Sequence, residues 1–150
     1  MNPVYVLNGP NLGRLGTREP EIYGTQTYPQ LVAMIERHAA RLELTVDVRQ
    51  TDDEATLVGY LHEASDTAAA VILNPAAFTH YSIAVRDAAA MIGVPLIEVH
   101  LSNTAAREEF RKHSVISDVA TGTIAGFGAQ SYLLALDAVA SLLGPQQPDA

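Results

Sequence analysis

AAAVIL, at residues 68–73, is a continuous apolar run that ends at Asn74-Pro75. A run of this length and composition is typical of a parallel β-strand that is buried on both faces. A strand of this kind needs helices on both sides of its sheet, so the run predicts an α/β fold.

Four other segments have the length and composition of strands, at residues 3–7, 44–50, 95–99 and 119–125. Apolar residues at helical spacing predict helices between and after the strands, at residues 28–42, 55–65, 82–93 and 129–143. This alternation predicts a doubly wound, five-stranded parallel sheet, for which the flavodoxin-like strand order 2-1-3-4-5 is the most economical.

The chain has the length of one domain, which we place at residues 1–144, with a disordered tail at 145–150. The last predicted helix is apolar almost all round, which favours burial on more than one side and hence a homo-oligomer. Asp87 lies in the apolar stripe of the helix before it, where an acid favours a subunit boundary or a site, although a side chain turned to water is the alternative.

The composition excludes several classes of function. A net charge of −8 argues against nucleic-acid binding, and the lack of cysteine removes disulfides, thiolate metal sites and cysteine nucleophiles. No run approaches the roughly 18 apolar residues of a membrane span, so we expect no membrane association and a cytoplasmic location.

The loop at residues 7–24, LNGPNLGRLGTREPEIYG, is too long for a simple connection. We interpret it as an active-site loop in which Arg18 and Tyr23 take part in chemistry; a surface loop with a packed tyrosine is the alternative. Other unusual polar residues follow the third and fourth strands, and in the predicted order these groups meet at one crevice. The residues concerned are Asn8, Asn11, Arg18, Tyr23, Asn74, Thr79, His80, His100, Ser102 and Asn103.

Phosphate-binding fingerprints are missing, and His80 and His100 lack a metal-ligand pattern, so we expect no metal. A non-catalytic module that binds a small anion or a flavin stays open as an alternative function. A short helix predicted from Thr104 places Arg107 and Arg111 on one face. The acidic residues 52–54 are interpreted as a solvated first helical turn.

Four blocks of the sequence resemble type II 3-dehydroquinate dehydratase: LNGPNLGRLGTREPEIYG, ILNPAAFTHYSIAVRDA, EVHLSN with AREEFRKHS, and GFGAQSY. They occur in order over about residues 4–143. The resemblance implies a flavodoxin-like fold, no cofactor, no metal and a dodecamer built from trimers. It also implies loss of water from 3-dehydroquinate to give 3-dehydroshikimate, in aromatic biosynthesis or quinate breakdown.

The resemblance also implies roles for individual residues. Tyr23 would be the base, with Arg18 beside it, and His100 the acid. Leu101 and Ser102 would hold the substrate carboxylate, while the substrate hydroxyls would be bound by the positions Asn74, His80 and Arg111. Asn11 is the asparagine of the first block, and Asp87 is the helix acid that approaches a neighbouring subunit's site.

The expected chemistry agrees with these residue types. A tyrosine hydroxyl ordinarily has a pKa near 10, so a tyrosine base at neutral pH needs roughly 4 kcal/mol of phenolate stabilisation. Arg18 is the expected source, with Arg14 as the alternative, and Asn11 could orient a bridging water. Glu98, two residues before His100 on the same strand face, is its expected orienting partner.

Two positions and one segment depart from the family's pattern. Gly13 replaces a longer side chain in the loop, Tyr81 replaces a smaller residue, and QTDDEA at residues 50–55 stands where the family has something closer to QSNHEG. None removes a catalytic group. We expect Gly13 to loosen the loop.

Overall fold

The sheet has five parallel strands in the order β2-β1-β3-β4-β5, which confirms the predicted topology. The computed structural model describes residues 2–17 and 19–145. The strands are β1 (Val4–Asn8), β2 (Val46–Gln50), β3 (Ala70–Asn74), β4 (Leu96–His100) and β5 (Gly122–Ala125). Asn8, the last residue of β1, pairs with Gln50 on one side and Asn74 on the other, so neighbouring strands end level at the same edge.

Helices cover both faces of the sheet. In chain order the helices are α1 (Pro20–Tyr23), α2 (Tyr28–Arg41), α3 (Glu54–Thr67), α4 (Ile83–Ala90) and α5 (Gln130–Leu143), of which α1 is a single turn in the loop after β1 and buries none of its residues. One core contains Val6 and Ile72 together with α2 and α5, and the other contains Leu7 and Leu73 together with α3 and α4. Every residue of β1, β3 and β4 is buried, as a strand covered on both faces requires.

Local sequence signals explain where the longer helices begin. Thr27 and Gln30 form a capping box at α2, in which each side chain bonds the other residue's backbone amide. Asp53 caps α3 by accepting from the amide of Thr56, and Ser82 caps α4 in the same way. None of the described helices is long and apolar enough to cross a membrane.

The continuous helix predicted from Thr104 is wrong. The chain instead forms two separate 3₁₀ turns, Thr104–Ala106 and Glu109–Arg111, with extended backbone at Arg107 (φ −104°, ψ −159°) between them. A helix of two turns is marginal by itself, because its few hydrogen bonds do not offset the nucleation cost. Arg107 and Arg111 therefore do not share a helix face.

Helix α5 uses most of its apolar surface inside the chain. It packs on β3, β4, β5 and α2, and buries Tyr132, Leu136 and Val139 completely. The oligomer inferred from this helix therefore stays a prediction. Of the predicted tail, residues 146–150 lie outside the described residues.

Candidate active site

A cleft lies at the carboxyl ends of β1, β3 and β4, where the sequence predicts convergence of polar residues. It encloses about 560 Å³, including space open to solvent. The segments that follow these three strands supply its walls. The lining residues are Pro10, Asn11, Leu12, Tyr23, Asn74, Ala76, Ala77, His80, His100, Leu101, Ser102, Thr104, Arg107 and Arg111.

Tyr23 ends helix α1, and its side chain is half-buried against Arg107. The Nη1 nitrogen of Arg107 donates to the Tyr23 hydroxyl at 2.7 Å, and its guanidinium carbon lies 5.2 Å from the centre of the tyrosine ring. A cation in this position stabilises negative charge on the phenol oxygen. The sequence predicts this role for Arg18, which lies outside the described residues, and Arg107 is not among the predicted site residues.

The surroundings of Arg107 leave its positive charge weakly compensated. Its side chain is only 12% exposed, and Nη1 also donates to the Ser102 hydroxyl at 3.3 Å. The Nε nitrogen is buried without a hydrogen-bond partner among the described residues, and the carboxylate of Glu108 is 3.9 Å away. A buried guanidinium of this kind favours a bound anion.

The Glu98–His100 pair forms a second charged group at the cleft. Glu98 is 1% exposed, and its Oε2 oxygen lies 2.6 Å from the Nε2 nitrogen of His100, which leaves Nδ1 as the imidazole nitrogen available to a ligand. Burial by itself raises the pKa of the Glu98 carboxyl. Hydrogen bonds from His100 and from Ser117 and Ser114 outweigh that effect and hold the pKa below its ordinary value.

His80 presents a neutral imidazole to the cleft. Its Nδ1 nitrogen donates to the backbone carbonyl of His113 at 2.8 Å, so Nε2 is the acceptor. Burial lowers the pKa of His80, and the nearby charges of His100 and Arg111 lower it further. Arg111 lines the same wall, where its Nε nitrogen is held by the Glu108 carboxylate at 2.7 Å.

Asn74 is held in a buried chain of hydrogen bonds. Its Nδ2 nitrogen donates to the Tyr132 hydroxyl at 2.8 Å, and that hydroxyl donates to Oδ1 of Asn8 at 2.7 Å. The Oδ1 oxygen of Asn74 accepts from the amide of Ala76 at 3.1 Å. Both ends of the Asn74 amide are thus oriented, and each keeps capacity for one more bond to a ligand.

Residues 50–52 hold the start of the long loop. Asn11 has a left-handed backbone (φ 71°), and its amide donates to the Asp52 carboxylate at 2.8 Å. Gln50 donates to that carboxylate at 3.0 Å and to the Gly9 carbonyl at 3.2 Å. A Cβ atom at Gly13 would lie 3.0 Å from the Gln50 side-chain oxygen, so the glycine makes room for this anchor. Asp52 is exposed, as predicted for a solvated acidic residue, but its carboxylate also binds the loop, which the sequence did not indicate.

Several other predicted residues have clear locations. Leu101 is buried and Ser102 half-buried at the end of β4, and both line the cleft. Glu98 lies beneath His100 and does not line the cleft. Asp87 is exposed on α4, outside the cleft of its own chain. Among the described residues, no group of three potential ligands could hold a metal ion.

Ser114 and Ser117 were missed by the sequence analysis. They lie 16 and 19 residues after Glu98, and no local motif connects them to it. The sequence carries part of the signal for Arg107, because the helix predicted from Thr104 places it on one face with Arg111, whose position the resemblance assigns to the substrate hydroxyls. Its contact with Tyr23 joins residues 84 positions apart, which periodicity does not predict.

Comparison with known proteins gives a consistent result. The model of a family described as dehydroquinase class II matches residues 2–140. The 3-dehydroquinate dehydratase of Salinispora tropica is 62% identical over 138 residues, which cover 92% of this chain and 96% of that protein. The enzyme of the same name from Mycobacterium tuberculosis is 57% identical over 141 residues, covering 94% and 96%.

The same family is found among solved structures. The crystal structure of type II dehydroquinase from Propionibacterium acnes has a TM-score of 0.90 and 53% sequence identity to this chain, and covers 94% of this chain and 97% of that one. The likeness therefore extends over nearly the whole of both chains. The chain belongs to the class II dehydroquinase family.

Proposed function

We propose that this protein is a hydro-lyase of the shikimate pathway that converts 3-dehydroquinate to 3-dehydroshikimate and water. The single observation that supports it most directly is the Tyr23–Arg107 contact of 2.7 Å at the cleft that also contains His100. A base held beside a cation and an acid held beside a carboxylate are the two groups that this elimination needs.

Tyr23 begins the reaction by removing a proton from the carbon next to the substrate ketone. The electrons of the C–H bond form an enolate, and the tyrosine hydroxyl is regenerated. Arg107 stabilises the phenolate before this step. Arg18, from the same loop as Tyr23, is a second cation for this role. Asn11 lines the cleft and is suited to orient a water toward the enolate oxygen.

His100 completes the elimination. Its imidazolium gives a proton to the leaving hydroxyl as the C–O bond breaks, so that the enolate becomes a conjugated enone and water leaves. The ionised Glu98 carboxylate beside Nε2 stabilises the imidazolium and fixes its orientation.

The remaining cleft residues are proposed to bind the substrate. The amides of Leu101 and Ser102 bind its carboxylate, next to the partly uncompensated charge of Arg107. The hydroxyls of the substrate are bound by Asn74, His80 and Arg111. The acceptor Nε2 of His80 and the oriented amide of Asn74 give this part of the cleft both donors and acceptors.

The assembly is proposed to be a dodecamer of trimers in which Asp87 approaches a neighbouring subunit's site. Asp87 is exposed on α4, and the apolar side chains of Ile83 and Met91 near it are 56% and 61% exposed. An Asp87→Ala variant that assembles normally but loses activity would support this placement. A monomer in light scattering, with full activity, would exclude it.

The test is ultraviolet absorbance of the conjugated enone after mixing chelator-treated protein with 3-dehydroquinate, before and after borohydride. The expected signal grows without metal and resists borohydride, because no lysine Schiff base forms. Tyr23→Phe and His100→Ala are expected to abolish the signal while the protein stays folded. Tyr60→Phe is a matched control, because Tyr60 packs on the opposite side of the sheet, and this variant is expected to keep the signal.

Absence of the signal from a folded wild-type protein would overturn the proposal. A yellow protein with bound flavin, or binding of 3-dehydroquinate without turnover, would indicate the alternative of a non-catalytic binding module. An unchanged rate in Tyr23→Phe would exclude Tyr23 as the base. Normal turnover in Asn11→Ala would exclude the role of Asn11.

A further inference from the structure

The carboxylate of Glu98 has more partners than its histidine. Its Oε1 oxygen lies 2.7 Å from the Ser117 hydroxyl, and the Ser114 hydroxyl lies 3.2 Å from Oε1 and 3.1 Å from Oε2. Both serines come from the segment that follows the 3₁₀ turn Glu109–Arg111. Together the two serines contact both carboxylate oxygens of Glu98.

The direction of these hydrogen bonds is fixed by the number of protons available. Ser114 accepts from the backbone amides of Ile116 at 3.0 Å and Ser117 at 3.1 Å, so its one hydroxyl proton is left to donate to Glu98. Ser117 likewise donates to Oε1. With the Nε2 proton of His100, the buried carboxylate receives donors on both oxygens.

We propose that Ser114 and Ser117 are positioning residues for the acid of the reaction, because their hydroxyls keep the Glu98 carboxylate ionised and turned toward His100. A buried carboxylate without such donors takes up a proton, and a neutral carboxyl no longer stabilises the imidazolium. This inference rests on the proposed function for its catalytic meaning, while the hydrogen-bonding arrangement stands on the structure alone.

Other charged groups near Glu98 bear on the test. His100 and His80 face it from the cleft side, and Arg111 lies beyond His80. On the serine segment, Asp118 is paired with Arg86 on the surface. None of these is altered by a change at Ser117, so a shift in pH dependence would report on the Glu98 pair.

The first experiment measures kcat of Ser117→Ala against pH. Ser117 is preferred because Ser114 also bonds two backbone amides and its removal would disturb the turn. The variant is expected to lose about tenfold in kcat at neutral pH, and more as the pH falls, because Glu98 becomes neutral at a higher pH than in the wild type. Ser117→Thr keeps a hydroxyl and is expected to restore both rate and profile.

The second experiment does not depend on activity. The free energy of unfolding of wild type and Ser117→Ala is compared from neutral pH to below about pH 4, the ordinary range of a glutamate. Glu98 has a lowered pKa in the folded protein, so its stabilising effect is present at neutral pH and is lost as the pH falls through that pKa. The difference between the two proteins should therefore shrink at low pH.

Ser82→Ala serves as the control, because Ser82 caps α4 without contacting Glu98. Its destabilisation is expected to be independent of pH. A Ser117→Ala protein with an unchanged kcat profile and a pH-independent loss of stability would overturn the inference. If the wild type lacks dehydratase activity, the proposed function fails, and the unfolding comparison still decides whether the serines hold Glu98 ionised.

Discussion

Arg107 and Tyr23 are joined by a hydrogen bond of 2.7 Å although they are 84 positions apart in the chain. We predict that Arg107→Ala lowers kcat by roughly a hundredfold, as expected for the loss of one donor to a developing charge. Arg107→Lys keeps the charge but not the planar guanidinium group, so its kcat should lie between those of the wild type and Arg107→Ala.

Steady-state kinetics check this prediction, with Lys112→Ala as the control for removing an exposed cation of the same segment. An Arg107→Ala enzyme with a raised KM and an unchanged kcat would contradict it. Arg107 would then contribute binding alone.

We predict that Tyr132→Phe destabilises the protein by about 1–3 kcal/mol, because Oδ1 of Asn8 and Nδ2 of Asn74 lose the buried hydroxyl that they share. Phenylalanine fills the same space, so packing is preserved. Denaturant unfolding measures the effect, and Tyr81→Phe, at a ring that is 61% exposed, should leave stability nearly unchanged. Equal stability of Tyr132→Phe and wild type would show that the chain of bonds contributes nothing.

Asp52 and Asp53 are adjacent, yet we predict opposite effects when each is changed to alanine. Asp52→Ala should lower activity with little change in stability, because its carboxylate holds Asn11 and Gln50 at the loop. Asp53→Ala should lower the melting temperature and leave activity intact, because Asp53 only caps α3. Kinetics and thermal unfolding of both variants distinguish these outcomes, and an active Asp52→Ala enzyme would exclude the anchoring role.

His80 gives a prediction about pH. Its pKa is lowered in the folded protein, so between that pKa and the ordinary value near 6.5 the unfolded chain binds more protons. Stability must therefore rise with pH through this window. His80→Gln should reduce the slope. Unfolding free energies of the wild type and the variant, measured across the window, check this prediction, and an equal slope in the two proteins would contradict it.

The sheet was predictable because its signals are local. The apolar run at residues 68–73 and the Thr27–Gln30 capping box each need only a few neighbouring residues, and the strand order follows from the rules of parallel crossovers. The cleft was predictable to the extent that its residues follow strand ends.

The supporting contacts were not predictable in the same way. Arg107 was assigned to a helix that does not form, and its side chain binds a partner in a distant loop. Ser117 reaches Glu98 only because the chain returns beneath β4 after the cleft arginines. Contacts of this kind are set by the folded geometry and leave no periodic pattern in the sequence.

The glycine at position 13 restricts how this protein can be engineered for heat resistance. Replacing a loop glycine by alanine is a common route to stabilisation, because it reduces the freedom of the unfolded chain. Here the added methyl group would lie 3.0 Å from the Gln50 side-chain oxygen and disturb the hydrogen bonds by which Gln50 holds the loop at residues 7–24. Gly59 lies within α3 with no atom near its Cβ direction, and alanine there is the safer design choice.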